Sequence, residues 1–278
     1  MLLPPQTGVV YGPVRSRRLG VSLGINALPP RGKVCTFDCL YCQYGWTDET
    51  GAGVAYPSVA EVLEGVEAAL AACAAPPAHL TFSGNGEPTL HPRFTELVDG
   101  VIRIRDRRAP SARTAVLSNG TRVGDPSIRE ALGRLDVRIM KLDAGTDETL
   151  RRFNRPAPGI SIDEIVDGLR SLGGVTIQSL FAAGPAGNST PADIEAWVRR
   201  VVEISPVAVQ IYTLDREWPS ELIEPLDAAG LEAILAAGAA AVQAPTDSSM
   251  PASGGRARCP GAARRRRNSC RMSPRRSG

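Results

Sequence analysis

Lysine and histidine are scarce in this chain of 278 residues. Lys33 and Lys141 stand against 30 arginines, and His79 and His91 are the only histidines. No run of about 18 consecutive apolar residues exists, so no stretch reads as a bilayer-spanning helix. The opening Met1-Leu2-Leu3-Pro4-Pro5 lacks a basic segment followed by an apolar one. A secretory signal is therefore not expected, and reduced thiols in the cytoplasm are. No internal repeat of 20–50 residues shows. No cysteine precedes Cys35, and no second Cys-x-x-Cys follows it.

Charge is unevenly spread. Residues 247–278 hold nine arginines against one acid, Asp247, a net +8 that leaves −5 on the rest of a chain whose total is +3. Ser, Pro, Gly and Arg dominate that tail with no apolar period, so residues 246–278 are expected to be disordered. Over the whole chain 43 % of residues are hydrophobic and 22 % charged, enough for a sizeable core in the remainder, 8–245. Arg264–Arg267 reads as a solvated run, and Arg15, Arg17 and Arg18 as an exposed basic segment or an anion contact.

Strand and helix patterns alternate along 20–242. Strands are expected at 20–26, 79–83, 114–117, 137–142, 175–181 and 207–212. Helices are expected at 58–73, 94–107, 126–132, 146–153, 161–172, 191–204 and 226–242. Ser58 and Glu61 have capping-box spacing, and Thr190 precedes a Pro at the first helical position. Such alternation implies parallel strands joined by crossover helices. Six strands in this length fit an α/β fold of the partial (β/α)6, TIM-like barrel type. Every unusual loop follows a strand, and sites in such folds lie at those strand ends.

Cysteine spacing carries the chemistry. Cys35, Cys39 and Cys42 fall within eight residues, too crowded for easy disulfides. Thiolates suit iron–sulfur clusters or zinc. Three ligands would leave one iron of a [4Fe–4S] cube open to a chelating small molecule. Zinc would want a fourth ligand, and both histidines are far away in sequence. Cys73 reads as a helix-end thiol, Cys259 and Cys270 as tail residues, His91 as a loop or cap residue and His79 as structural.

On this triplet, Cys-x3-Cys-x-Tyr41-Cys, the chain resembles the radical S-adenosylmethionine (SAM) superfamily. The resemblance spans about residues 8–225. It implies a [4Fe–4S] cluster on Cys35, Cys39 and Cys42, with SAM chelated at the open iron. Reductive cleavage would give a 5′-deoxyadenosyl radical that abstracts hydrogen from a substrate, the cofactors carrying the chemistry. Ser83-Gly84-Asn85-Gly86-Glu87-Pro88 is similar to the family's glycine-rich SAM motif, with Glu87 and Pro88 fixing the loop. Tyr41 sits where the family's aromatic approaches adenine. Asn119, Lys141, Asp143, Gln178 and Tyr212, at or near strand ends, are the further cofactor-binding candidates. Lys141 and Asp143 share a face at i, i+2, and their other reading is a solvated strand-end ion pair; Asn119-Gly120 could equally be a plain turn.

Tyr11–Gly20 and Leu142-Asp143-Ala144-Gly145 resemble the wyosine-type tRNA-modifying and Fe–S oxidoreductase group. The tRNA-modifying members carry further cysteines upstream, which this chain does not have. The resemblance implies an external flavodoxin- or ferredoxin-type electron donor. It leaves the substrate open, RNA included, and implies no membrane. The other reading is a non-catalytic iron–sulfur carrier or a zinc-structured module.

Overall fold

The computed structural model describes residues 2–16, 18–47, 55–243 and 269–272. Strand β1 (Val10–Ser16) pairs antiparallel with β2 (Gly20–Ile25). From β2 onward the sheet is parallel and in chain order: β3 (His79–Phe82), β4 (Arg113–Ser118), β5 (Val137–Lys141) and β6 (Thr176–Leu180) follow. A two-residue strand, β7 (Ala182–Ala183), leaves the sheet before β8 (Ala208–Tyr212) rejoins it beside β6. Each parallel strand is followed by at least one helix: α1 (Val59–Ala72), α2 (Phe94–Arg108), α3 (Pro126–Gly133), α4 (Asp147–Thr149), α5 (Ile162–Leu172), α6 (Pro191–Ile204) and α7 (Ala228–Gln243). Six parallel strands in sequential order with crossover helices make the expected partial (β/α)6 barrel.

Local chemistry sets these elements. At α1 both halves of the capping box form: Glu61 N donates to Ser58 Oγ (3.2 Å) and Ser58 N to Glu61 Oε2 (2.6 Å). Thr190 Oγ1 caps α6 by accepting from Asp193 N (3.2 Å), with Pro191 at the first position. The helix-facing side of the sheet (Leu80, Phe82, Val116, Met140, Ile177, Val209) buries against Val62, Val66, Leu97, Val101, Ile165 and Val201. Phe82 and Phe94 pack edge to face across that seam, centroids 5.4 Å apart. A second apolar cluster, including Leu40, Phe153, Leu180, Leu214 and Ile223, packs with Tyr41 and Tyr212.

Four features depart from the sequence pattern. Strand β1 precedes the first expected strand and lies antiparallel to it. The helix expected at 146–153 is α4 followed by a π-turn, Leu150–Asn154, closed by Arg155 in the left-handed region (φ 47°). The turn widens because Phe153 and Asn154 carbonyls bond to the cysteine loop. Strand β9 (Glu224–Pro225) pairs with β7 in a small ribbon. In the tail expected to be disordered, Ser269–Met272 form β10, antiparallel to β8, so at these four positions the chain is a strand. A four-residue strand among arginines carries no apolar period to betray it. The rest of the tail, Cys259 included, and Arg17 lie outside the described residues. Among the described residues no helix is long and apolar enough to cross a membrane.

Candidate functional site

The three cysteines lie on the loop that leaves the C-terminal end of β2. Neighbouring strand-end loops clamp it by main-chain hydrogen bonds. Val34 N donates to Asn85 O (2.9 Å), and Val34 O accepts from Glu87 N (3.0 Å). From the opposite side, Leu40 N donates to Phe153 O (3.1 Å), Asp38 N to Asn154 O (3.0 Å) and Ala157 N to Thr36 O (2.8 Å). Lys33, 3 % exposed, donates from Nζ to Asp38 Oδ1 and to Gly45 O, each at 3.1 Å. Asp38 Oδ1 also accepts Thr47 N (2.6 Å), so one ion pair ties both ends of the loop.

Directional donors reach the sulfurs. Phe37 N points to Cys35 Sγ (3.4 Å), Asn119 Nδ2 to Cys35 Sγ (3.7 Å) and Asn154 Nδ2 to Cys39 Sγ (3.2 Å). None of the three cysteines is in a disulfide. Burial pushes the Cys35 thiol pKa up, against the pull of Lys33. Burial pushes that of Cys39 up to about 11; the charges of Asp143 and Cys42 add to this, and hydrogen bonds from Asn154 and Tyr41 oppose it. Burial acts to lower the Lys33 pKa, but the Cys42, Cys35 and Cys39 thiolates and Asp38 outweigh it and raise it. Soft sulfurs, N–H donors aimed at them and a buried cation make a donor set that fits an anionic, thiolate-bound iron–sulfur cluster. Among the described residues no three His, Cys, Asp or Glu side chains close on a single ion-sized point.

The glycine-rich loop packs directly against this one. Gly86 has φ 136°, and a Cβ on it would lie 1.9 Å from Val34 O. Gly84 has φ 138°, and a Cβ there would lie 2.6 Å from Asn26 Oδ1. The close approach these glycines permit is to the cysteine loop and to the residue after β2. Asn85, fully buried, donates to Gln6 O (2.9 Å) and Pro29 O (2.8 Å) and accepts Gln6 N (2.7 Å). Glu87 accepts Thr89 N (3.1 Å), Thr89 Oγ1 (2.6 Å), Ser118 Oγ (2.9 Å) and Asn119 N (2.6 Å). Burial raises the Glu87 pKa while these four donors oppose it. Both side chains, expected among the cofactor-binding candidates, make these hydrogen bonds within the protein. Asn119 is engaged likewise, donating to Thr36 Oγ1 (2.8 Å) and accepting Thr121 N (3.1 Å) and Thr121 Oγ1 (2.9 Å).

Next to Cys39 lies the Asp143 corner. Asp143 Oδ1 takes Lys141 Nζ (2.9 Å) and Leu180 N (2.8 Å). Its Oδ2 takes Asn154 Nδ2 (2.8 Å) and a short bond from Tyr41 Oη. A carboxylate offers about four acceptor positions, and all four are filled by Lys141, Leu180, Asn154 and Tyr41, so Asp143 has none left for a further donor. The geometry favours its structural reading, an ion pair with Lys141, but a buried one rather than a solvated one. Tyr41's pKa is raised well above its usual value by burial and by Asp143. Burial would lower the pKa of Lys141, but Asp143 and Tyr212 raise it, so its amine is held as ammonium.

Lys141 is also in register with Gln178, and Gln178 with Gln210, a row across β5, β6 and β8. Gln178 Nε2 donates to Gln210 Oε1 (3.2 Å), and Lys141 Nζ to Tyr212 Oη (3.0 Å). The Arg18 guanidinium stands 4.5 Å over the Tyr212 ring. Thus Tyr41, Lys141, Asp143 and Tyr212 meet in one corner. Gln178 meets Gln210, and Gly84–Glu87 lie behind the cysteine loop. Sequence reading missed Lys33, Gln210 and Asn154; of these only Lys33, two residues before the triplet, carried a local signal. His79 and His91 are structural. His79 Nδ1 pairs with Leu19 O (2.6 Å), and His91 Nε2 with Pro57 O (2.9 Å).

Comparison with known proteins bears on the family and the fold. A sequence model of the Radical SAM superfamily matches residues 30–201. A Brachyspira hyodysenteriae protein named GTPase Obg is 31 % identical over 227 residues, 80 % of this chain and 32 % of that protein. The chain spans between 48 % and 67 % of the curated UPF0026 proteins it also matches. Among solved structures, a radical SAM methyltransferase from Sphaerobacter thermophilus superposes with TM-score 0.58 at 16 % identity, covering 79 % of this chain and 63 % of that one. TYW1 with a lysine-pyruvate adduct bound superposes with TM-score 0.52 at 16 % identity, covering 77 % and 71 %.

Proposed function

The chain belongs to the radical SAM superfamily, and from that premise we propose that it holds one [4Fe–4S] cluster on Cys35, Cys39 and Cys42 and uses SAM to abstract hydrogen from a polar substrate. The observation that carries this is the clamped three-thiol loop with N–H donors on Cys35 and Cys39 and Lys33 buried beside it. When bound, the cluster and SAM supply reductive cleavage of the sulfonium and a 5′-deoxyadenosyl radical.

The protein's own residues position and exclude. Asn154 and Asn119 hold Cys39 and Cys35 in place. Lys33 sets a buried positive charge against thiolates whose negative charge grows when protons leave. Lys141, Tyr41 and Tyr212 are held together through Asp143, and Gln178 with Gln210 continues the row with polar groups. A substrate seated against them would be hydrophilic. A tRNA nucleoside, a segment of a partner protein and a small metabolite all meet that requirement. TYW1's likeness is one of fold, and no cysteine lies upstream of Cys35 here. A flavodoxin- or ferredoxin-type donor would supply the electron.

Anaerobic reconstitution with iron and sulfide tests the proposal. About four iron and four sulfide per chain, with 5′-deoxyadenosine released on reduction with SAM, is the expected result. One zinc without sulfide would support the structural-module reading instead. Survival of both properties in Cys39→Ala would overturn the ligand assignment.

A further inference from the structure

One acceptor in the Asp143 corner has nothing on it. Asn154 is 1 % exposed, and its Nδ2 donates to both Cys39 Sγ (3.2 Å) and Asp143 Oδ2 (2.8 Å). Its Oδ1 is buried without a hydrogen-bond partner. The amide cannot be reversed. Exchanging O and N would set a carbonyl oxygen against a carboxylate and against a sulfur that, as thiolate, only accepts. Buried amide oxygens in folded proteins are almost always paired, because leaving one bare is costly.

The surrounding acceptors are full. Asp143 takes four donors, Glu87 takes four, and Asn119 Oδ1 takes two from Thr121. Asp143, a cofactor-binding candidate at a strand end, has no acceptor position left, and its neighbour Asn154 has one. The backbone points the same way. Asn154 ends a π-turn, a feature concentrated at functional sites, and its own carbonyl accepts Asp38 N (3.0 Å) on the cysteine loop. The side chain is thus locked at both ends before any ligand arrives.

We propose that Asn154 Oδ1 accepts an N–H or O–H of SAM, so that one amide steadies the Cys39 thiolate with its nitrogen and orients the cofactor with its oxygen. This rests on the radical SAM reading above. SAM presents such donors at its ammonium and at its ribose hydroxyls.

The test uses full-length protein reconstituted anaerobically, wild type beside Asn154→Ala and Asn154→Ser. Iron and sulfide are counted first. SAM affinity is then read from the change it causes in the reduced cluster's electron paramagnetic resonance spectrum. Desamino, 2′-deoxy and 3′-deoxy analogues of SAM are titrated in parallel. Expected are full iron and sulfide in at least one variant, affinity for SAM lowered roughly tenfold, and no difference from wild type for the one analogue that lacks the donor. Unchanged affinity in a cluster-loaded variant overturns the proposal. So does an equal loss for all three analogues. Loss of the cluster in both variants reduces Asn154 to a cysteine-holding residue and also overturns it. Wild-type protein that takes up no iron and sulfide defeats the underlying reading instead, a result separable from the others.

Discussion

Replacing Gly86 by alanine tests how the glycine-rich loop and the cysteine loop are joined. Two costs add. A side chain at φ 136° is strained, which costs about 1–3 kcal/mol. The new Cβ would also sit 1.9 Å from Val34 O and 2.6 Å from Val34 C, both backbone atoms that cannot swing aside. Forcing such an overlap apart costs about 1–3 kcal/mol more. The sum, about 2–6 kcal/mol, corresponds to a fall in Tm of roughly 4–24 °C for a domain of this size. Gly133→Ala is the control. It lies at the end of α3 with nothing within 4 Å of a Cβ, and should be neutral or stabilising by up to about 1 kcal/mol. Thermal unfolding followed by circular dichroism on apoprotein gives both numbers. Because the displaced atoms flank the bonds Val34 N to Asn85 O and Glu87 N to Val34 O, iron uptake should fall in the first variant and not in the second. A Gly86→Ala protein melting within about 1 °C of wild type would refute the steric reasoning.

Lys33→Met should shift the cluster's midpoint potential to more negative values, since reduction adds negative charge where a buried cation has been removed; a potentiometric titration showing an unchanged or more positive midpoint contradicts this. Asp143→Asn takes a charge from a site where it holds Lys141, Tyr41, Leu180 and Asn154, and should cost the apoprotein about 3–5 kcal/mol in urea unfolding; a loss below about 1 kcal/mol speaks against a saturated carboxylate. Burial lowers the pKa of both His79 and His91 below the usual 6.5. Their contribution to stability is therefore complete above pH 6.5 and declines as pH falls below it, the unfolded chain binding more protons. A urea midpoint that drops between about pH 7 and 5, and drops less in His91→Gln, is expected, and a rise on acidification would be inconsistent with it.

Much of this architecture could be read in advance. Apolar strands bounded by turn residues, with capped amphipathic helices between them, determined six strand–helix units because each signal is local. Ser58 with Glu61 and Thr190 with Pro191 are examples in which the cap chemistry alone sets where a helix begins. The cysteine triplet stands out because spacing within one loop is also local, and the structure places the three thiols on one clamped loop. What stayed hidden depends on distant partners. No pattern around Leu150–Asn154 announces a π-turn, because it forms by giving carbonyls to Asp38 and Leu40, more than a hundred residues earlier. Gln210 reads as one polar residue in a strand until its register with Gln178 is known. Asp143 stands at a strand end as a cofactor-binding candidate, but its four filled acceptor positions are a tertiary fact. The close approach that Gly84 and Gly86 permit involves Val34 and Asn26, which their own sequence does not name.

Why the site is built mostly from groups that are already satisfied follows from the dielectric. A half-satisfied polar network in a buried site is more costly than none, whereas a completed one is rigid. Asp143 completes such a network by joining four segments: the cysteine loop through Tyr41, β5 through Lys141, β6 through Leu180 and the π-turn through Asn154. Glu87 does the same for the glycine loop and the end of β4 through Thr89, Ser118 and Asn119. Two carboxylates thus fix the frame, and Asn154 presents the buried acceptor left open within it. The consequence is a division of phenotypes. Variants of Asp143, Glu87 or Asn119 should lower stability and iron content together, whereas Asn154→Ala and Asn154→Ser, which remove the open acceptor along with the donor to Cys39, should lower cofactor affinity with iron retained in at least one of them. If Glu87→Gln and both Asn154 variants gave the same pattern in both measurements, this separation between frame and ligand contact would not exist.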